Sequence, residues 1–124
     1  MCRTFECMKV RNMKIFEIHA AFCSILANPK RLAILACLDR REMSVGELAE
    51  ALGCPMSTVS RHLTLLKNRN LVVSRHEGTK VFYEAADKRI IEACAQIRTV
   101  LVDGLKHRGE IALELDPEDL ITEE

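Results

Sequence analysis

Residues 44–70, SVGELAEALGCPMSTVSRHLTLLKNRN, hold two helices and the turn between them. Ser44 stands three residues before Glu47, the spacing of a capping box, in which hydroxyl and carboxylate each satisfy a backbone N–H. A short helix from Glu47 to Leu52 follows, and Gly53 ends it. Pro55 has a fixed φ suited to a helix start, and the helix it opens runs to about Arg69. Val59, Leu63 and Leu66 recur on one side of that helix. Ser57, Ser60, Arg61, Thr64 and Asn68, also three or four apart, occupy the other side. One face is therefore built for burial, and the opposite one offers hydroxyls, an amide and a guanidinium.

Downstream, Leu71–Arg75 and Lys80–Glu84 read as two strands around His76-Glu77-Gly78-Thr79, a β-hairpin with glycine in its turn. Asp87 caps a last long helix to about His107, striped with Ile90, Cys94, Ile97, Leu101 and Leu105. Upstream, Met13–Ala27 is helical and apolar on more than one side, so it must be buried on more than one side. Asn28-Pro29 supplies a cap and a first helical residue for a second helix to about Arg40, burying Leu32, Leu35 and Leu38. The predicted order is α-α-α-α-β-β-α, mainly helical with a hairpin wing. Residues 13–107 form one domain, 1–12 an arm, and 108–124 a tail.

The chain of 124 residues fits one small domain. With 48% hydrophobic and 29% charged residues it has the profile of a folded globule rather than a disordered chain. No apolar run reaches the ~18 residues that span a bilayer, and the start carries no basic-then-apolar signal segment. The expected location is the cytoplasm, with no membrane partner. Few aromatics and a small core point to an obligate dimer. The zero net charge conceals a split: residues 109–124 carry seven carboxylates and no base, and the preceding 108 carry 18 bases against 11 acids. A basic body fits a polyanion partner, although an acidic solvated tail beside an ordinary surface gives the same count. Cysteines stand at 2, 7, 23, 37, 54 and 94 without any CxxC pair, so neither zinc-finger spacing nor a secreted disulfide framework is indicated.

A capped short helix, a tight turn and a helix with a polar outer face describe a helix-turn-helix, and the hairpin makes it winged. The last helix of that motif would enter the DNA major groove. There Arg61 could hold guanine O6 and N7 together, beside Ser57, Ser60, Thr64 and Asn68. From Ser57 to Lys80 five bases face one acid, which supplies a salt-dependent phosphate attraction. The wing bases Arg75 and Lys80, with His76, would follow an adjacent minor groove or backbone. The competing reading makes the polar row the solvated side of an ordinary surface helix.

ILANPKRLAIL, MSVGELAEALG, STVSRHLTLLKNRNLV and SRHEGTKVFYEAAD, covering about residues 13–106 in order, resemble the ArsR/SmtB family of dimeric winged-helix repressors. The resemblance implies a homodimer built on the first and last helices, a roughly palindromic double-stranded DNA operator, and release by an inducer. It assigns DNA reading to Ser57, Thr58, Ser60 and Arg61. Met56 stands where relatives commonly have Gln, and Cys54-Pro55 replaces a more usual Leu-Ser. The Cys-x-Cys pair of arsenic and cadmium sensors aligns with Ser44 and Gly46, which supply no thiolate. The zinc and nickel ligands align with Asp87, Arg89, Val100 and Asp103, which lack both imidazoles. Neither sensor type is expected.

Thiols remain. Cys23 and Cys94 lie on the two helices expected to form the dimer core, and His19 stands one helical turn before Cys23. These residues favour a soft metal or metalloid ion, or thiol oxidation or persulfidation, as the inducer chemistry; no other cofactor is implied. Cys54 at a helix N-terminus is a further reactive candidate, and Cys2 and Cys7 could join a soft-metal site. The alternative is a ligand-independent DNA-binding regulator whose cysteines are small buried hydrophobes. An enzyme is not expected: no CxxC, local Cys–base pair or phosphate-cradling Gly loop supports one.

Overall fold

The structure is a computed structural model that describes residues 9–109. Cys2, Cys7 and nearly all of the acidic tail lie outside the described residues. The chain forms α1 (Met13–Leu26), α2 (Pro29–Arg40), β1 (Met43–Ser44), α3 (Val45–Leu52), α4 (Met56–Asn68), β2 (Val72–Glu77), β3 (Lys80–Ala85) and α5 (Lys88–His107). The winged helix-turn-helix is present, with one addition to the expected order. Met43 and Ser44 pair antiparallel with Tyr83 and Phe82, so the wing is a three-stranded sheet in the order β1-β3-β2. Two residues are too few to show strand alternation, and their pairing depends on β3, some forty positions away.

Local chemistry sets the boundaries. The Asn28 side chain accepts from the N–H groups of Lys30 and Arg31 at 3.0 and 3.2 Å. Ser44 Oγ accepts from Glu47 N at 3.2 Å, and Glu47 Oε1 from Ser44 N at 3.1 Å, completing the capping box. The helix it opens starts at Val45, slightly before the expected Glu47. Asp87 accepts from Arg89 N at 2.9 Å and starts α5. In the hairpin, Glu77 pairs with Lys80, which leaves a two-residue turn. Gly78, first in that turn, has φ +61°, the conformation a two-residue hairpin with glycine first requires. Strand β2 thus runs two residues closer to the tip than expected, while β3 starts at Lys80 as expected.

The core joins α2, α3, α4, the sheet and the start of α5 around Ile34, Leu35, Leu48, Leu63, Leu66 and Val72, all nearly inaccessible to water. On α2 Leu35 and Leu38 are buried as expected, together with Ile34 and Cys37, whereas Leu32 is only half-buried. Each such aliphatic side chain contributes about 1.5–3 kcal/mol by leaving water. Helix α1 meets α2 at 87° and joins the core only through its C-terminal end: Ile25 is buried, and Phe22 and Leu26 pack beside it. Met13, Ile15, Phe16 and Ile18 remain exposed on a single chain, as do Ile97, Val100 and Leu101 of α5. The last-helix stripe therefore divides. Cys94 faces inward with Ile91 and Val102, whereas Ile97 and Leu101 face outward. No single helix among the described residues is long and apolar enough to cross a membrane.

Candidate nucleic-acid interface

The turn between α3 and α4 is closed by backbone geometry. Gly53 takes φ +65°, its N–H donates to the Glu50 carbonyl at 3.2 Å, and Cys54 N–H donates to the Ala49 carbonyl at 3.1 Å. This left-handed helix end satisfies two free carbonyls and suits only a residue tolerant of positive φ. Cys54 packs half-buried against the core, the position of a small hydrophobe. No side chain caps α4, so its first N–H groups are left to an external acceptor such as a phosphate oxygen.

Helix α4 separates its two tasks by face. Val59, Leu63 and Leu66 are fully buried, while Ser57, Ser60, Arg61, Thr64 and Asn68 are exposed and Thr58 is half-buried at the margin. Thr64 Oγ1 donates to the Ser60 carbonyl at 2.9 Å, which orients the hydroxyl and leaves its oxygen as an acceptor. Arg61 makes no ion pair among the described residues, so its five donors are free for a base edge. At its far end α4 turns through Asn70, φ +61°, where Leu71 N–H donates to the Leu66 carbonyl at 2.9 Å. Lys67 Nζ donates to Ser74 Oγ at 2.8 Å and ties the helix to β2.

The wing residues behave differently from one another. Lys80 and His76 are exposed near the tip. Arg75, expected at the DNA backbone, is occupied within the protein. Its Nε donates to Glu42 Oε2 at 2.9 Å, its Nη2 pairs with Glu42 Oε1, and its Nη1 donates to Glu77 at 2.8 Å. The guanidinium also lies 4.9 Å above the centre of the Phe82 ring. Arg75 holds the Glu42 carboxyl below its ordinary range, and the two carboxylates raise Arg75 in return. Reading the sequence in short windows missed this link, because Glu42 precedes β1 and Arg75 lies on β2.

A second feature was also missed. His62 is held below the ordinary histidine range by burial, then by the charges of Arg31, Lys30 and Arg61. The start of α2 therefore lies beside α4, and exposed Lys30 adds a positive charge there. Arg31 is partly committed, since its Nε donates to the Ile25 carbonyl at 2.6 Å. The basic pair directly after Asn28-Pro29 was the available signal.

Cys23 is exposed and Cys94 buried. Burial pushes the Cys94 thiol up, Arg98 opposes that rise, and Cys23 adds to it. Cys37 belongs to the core, where burial likewise raises its thiol. His19 is exposed on α1. Among the described residues no three His, Cys, Asp or Glu side chains gather as metal ligands.

Comparisons with known proteins agree with this geometry. Residues 26–75 match a family of helix-turn-helix domains. The nodulation protein NolR of Rhizobium meliloti is 37% identical over 87 residues, which is 70% of this chain and 71% of NolR. The transcriptional repressor SmtB of Mycobacterium tuberculosis is 31% identical over 112 residues, 90% of this chain and 76% of SmtB. The homodimeric winged helix-turn-helix DNA-binding domain of Mb0332 from Mycobacterium bovis superposes with a TM-score of 0.68 at 32% identity. That match covers 81% of this chain and 93% of the domain.

Proposed function

The chain belongs to the ArsR/SmtB family of helix-turn-helix transcriptional regulators, and on that premise we propose that it represses transcription from an operator read by α4 and leaves when Cys23 and Cys94 are modified. The family is non-enzymatic, and its winged helix-turn-helix binds DNA as a homodimer. Two copies of α4 would enter successive major grooves about 34–36 Å apart, one duplex turn. Ser57, Thr58, Ser60, Arg61, Thr64 and Asn68 supply the base and phosphate contacts, and Lys80 supplies a wing contact. A DNA partner puts this work in the cytoplasm.

The switch is supported by placement: exposed Cys23 lies on α1 and buried Cys94 on α5, the two helices whose outward apolar residues are left uncovered on a single chain. Cys94 is buried and stays a thiol near neutral pH, so exposed Cys23 meets a reagent first. A hydroperoxide would transfer oxygen to Cys23, giving a sulfenic acid and releasing an alcohol or water. The Cys94 sulfur would then displace the hydroxyl group, which leaves as water with the Cys94 thiol proton, and the S–S bond forms. A soft metal or metalloid ion would need a two-thiolate bridge or ligands from both protomers, His19 included. Either event strains α1 against α5 and shifts the spacing of the two reading helices.

The test selects the operator from genomic DNA with purified dimer, then follows its binding on adding hydroperoxide, persulfide, arsenite or cadmium. The expected result is release of the unaltered protein by at least one reagent and retention by Cys23→Ser and Cys94→Ser. Release from all three proteins alike, or no release at all, overturns the switch. The remaining reading is then the ligand-independent regulator, favoured by Cys37 and Cys54, which pack as small hydrophobes.

A further inference from the structure

Met56 is the first residue of α4 and is 57% exposed, although it is among the more apolar side chains of the motif. It stands directly before Ser57 and one turn before Ser60, at the end of the helix that enters a groove first. Its methyl group lies over the start of α3: a Cβ placed on Gly46 would sit 3.9 Å from Met56 Cε. The thioether thus bridges the crease between the two helices on the side where both present their N-termini. Among the described residues nothing covers the rest of it. The fold gains little from an apolar side chain left in water, whereas Val59, Leu63 and Leu66 on the same helix account for the packing.

The major groove exposes one apolar group, the C5-methyl of thymine. Methionine, unbranched and polarizable, adapts its shape to such a contact. We propose that Met56 is a specificity-determining residue that packs on a thymine methyl in each half-site, beside the polar contacts of Ser57, Ser60 and Arg61. The assignment rests on α4 as the reading helix. It predicts a preference that hydrogen bonding does not produce, because uracil and thymine present identical donors and acceptors and differ only in that methyl.

The test uses the full-length dimer and a palindromic operator in which each thymine is replaced in turn by deoxyuridine, in both half-sites together. Removing one buried methyl should weaken binding about fourfold per half-site, and about fifteenfold for the paired replacement. That loss should appear at one position in the half-site. Met56→Ala and Met56→Gln should bind thymine and uracil operators equally at that position. Arg61→Ala should bind more weakly overall yet keep the thymine preference. Discrimination that survives both Met56 variants, or a scan with no discriminating position while Arg61→Ala still loses operator affinity, overturns the Met56 role. Silence in the uracil scan together with unchanged binding by Arg61→Ala identifies the failure as that of α4 reading itself.

Discussion

Arg75 and Glu42, 33 residues apart, meet fork to fork across the sheet, with Phe82 of the central strand beneath the guanidinium. In the register, Arg75 pairs with Phe82, and Phe82 pairs with Ser44, so the contact runs along one row from β2 over β3 to the edge of β1. In the free chain the Arg75 charge is paired with Glu42 and Glu77, which assigns it an expected role in positioning the wing. Arg75→Ala should leave the slope of log affinity against log salt unchanged, whereas Lys80→Ala should make it shallower by about one unit. Amide exchange in β2 and β3 should quicken in Arg75→Ala alone. A full unit of slope lost in Arg75→Ala would show that Arg75 leaves Glu42 for a phosphate.

Arg61 carries the opposite expectation. Its guanidinium is exposed and without an ion pair among the described residues. Arg61→Ala should weaken operator binding by about 1–3 kcal/mol and scrambled DNA far less. Equal losses on both, read by fluorescence anisotropy at one salt concentration, would reduce Arg61 to a phosphate contact.

The exposed apolar residues of α1 and α5 are expected to form the homodimer interface. Ile97→Asp with Leu101→Asp places two charges where each protomer must exclude water, and interfaces of this kind bury more than about 1,000 Å². Light scattering at micromolar concentration should show a mass near one chain, with helix content retained and operator binding reduced. A dimeric mass in that variant would move the interface elsewhere.

His62 gives a pH signature for stability. Its pKa is lowered in the folded chain, so the unfolded chain binds more protons at this site. Stability is therefore full above the ordinary histidine range and declines as pH falls through about 6.5. Glu42, Glu47 and Asp87, whose carboxyls are lowered by arginine partners and backbone hydrogen bonds, lose their contribution only below the ordinary carboxylate range near 4. Urea midpoints measured between pH 7 and 5 should fall less steeply in His62→Gln. An unchanged profile would assign the decline to another group.

What was legible in the sequence follows the range of each interaction. The caps at Asn28, Ser44 and Asp87 act within three residues, and both halves of each interaction sit in one short window. The two faces of α4 repeat with the helical period, so burial of Val59, Leu63 and Leu66 could be read directly. Strand β1 could not, since two residues carry no period. The commitment of Arg75 to Glu42 was equally hidden, because no local rule connects positions on opposite edges of a sheet. Lys30 and His62 belong to helices that only the packed core brings together.

The division of α4 into a buried row and an exposed row has a bearing on how such a protein changes over time. Side chains of the exposed row contribute almost nothing to the core, and those that hold the core are shut away from any groove. If α4 reads the operator as proposed, substitutions at Met56, Ser57, Ser60, Arg61 or Thr64 would alter it without placing the chain near its unfolding threshold. A lineage can therefore move from one promoter to another through single steps, each folded and each dimeric. The same independence makes those five positions a natural combinatorial library, in which failures report on recognition rather than on folding.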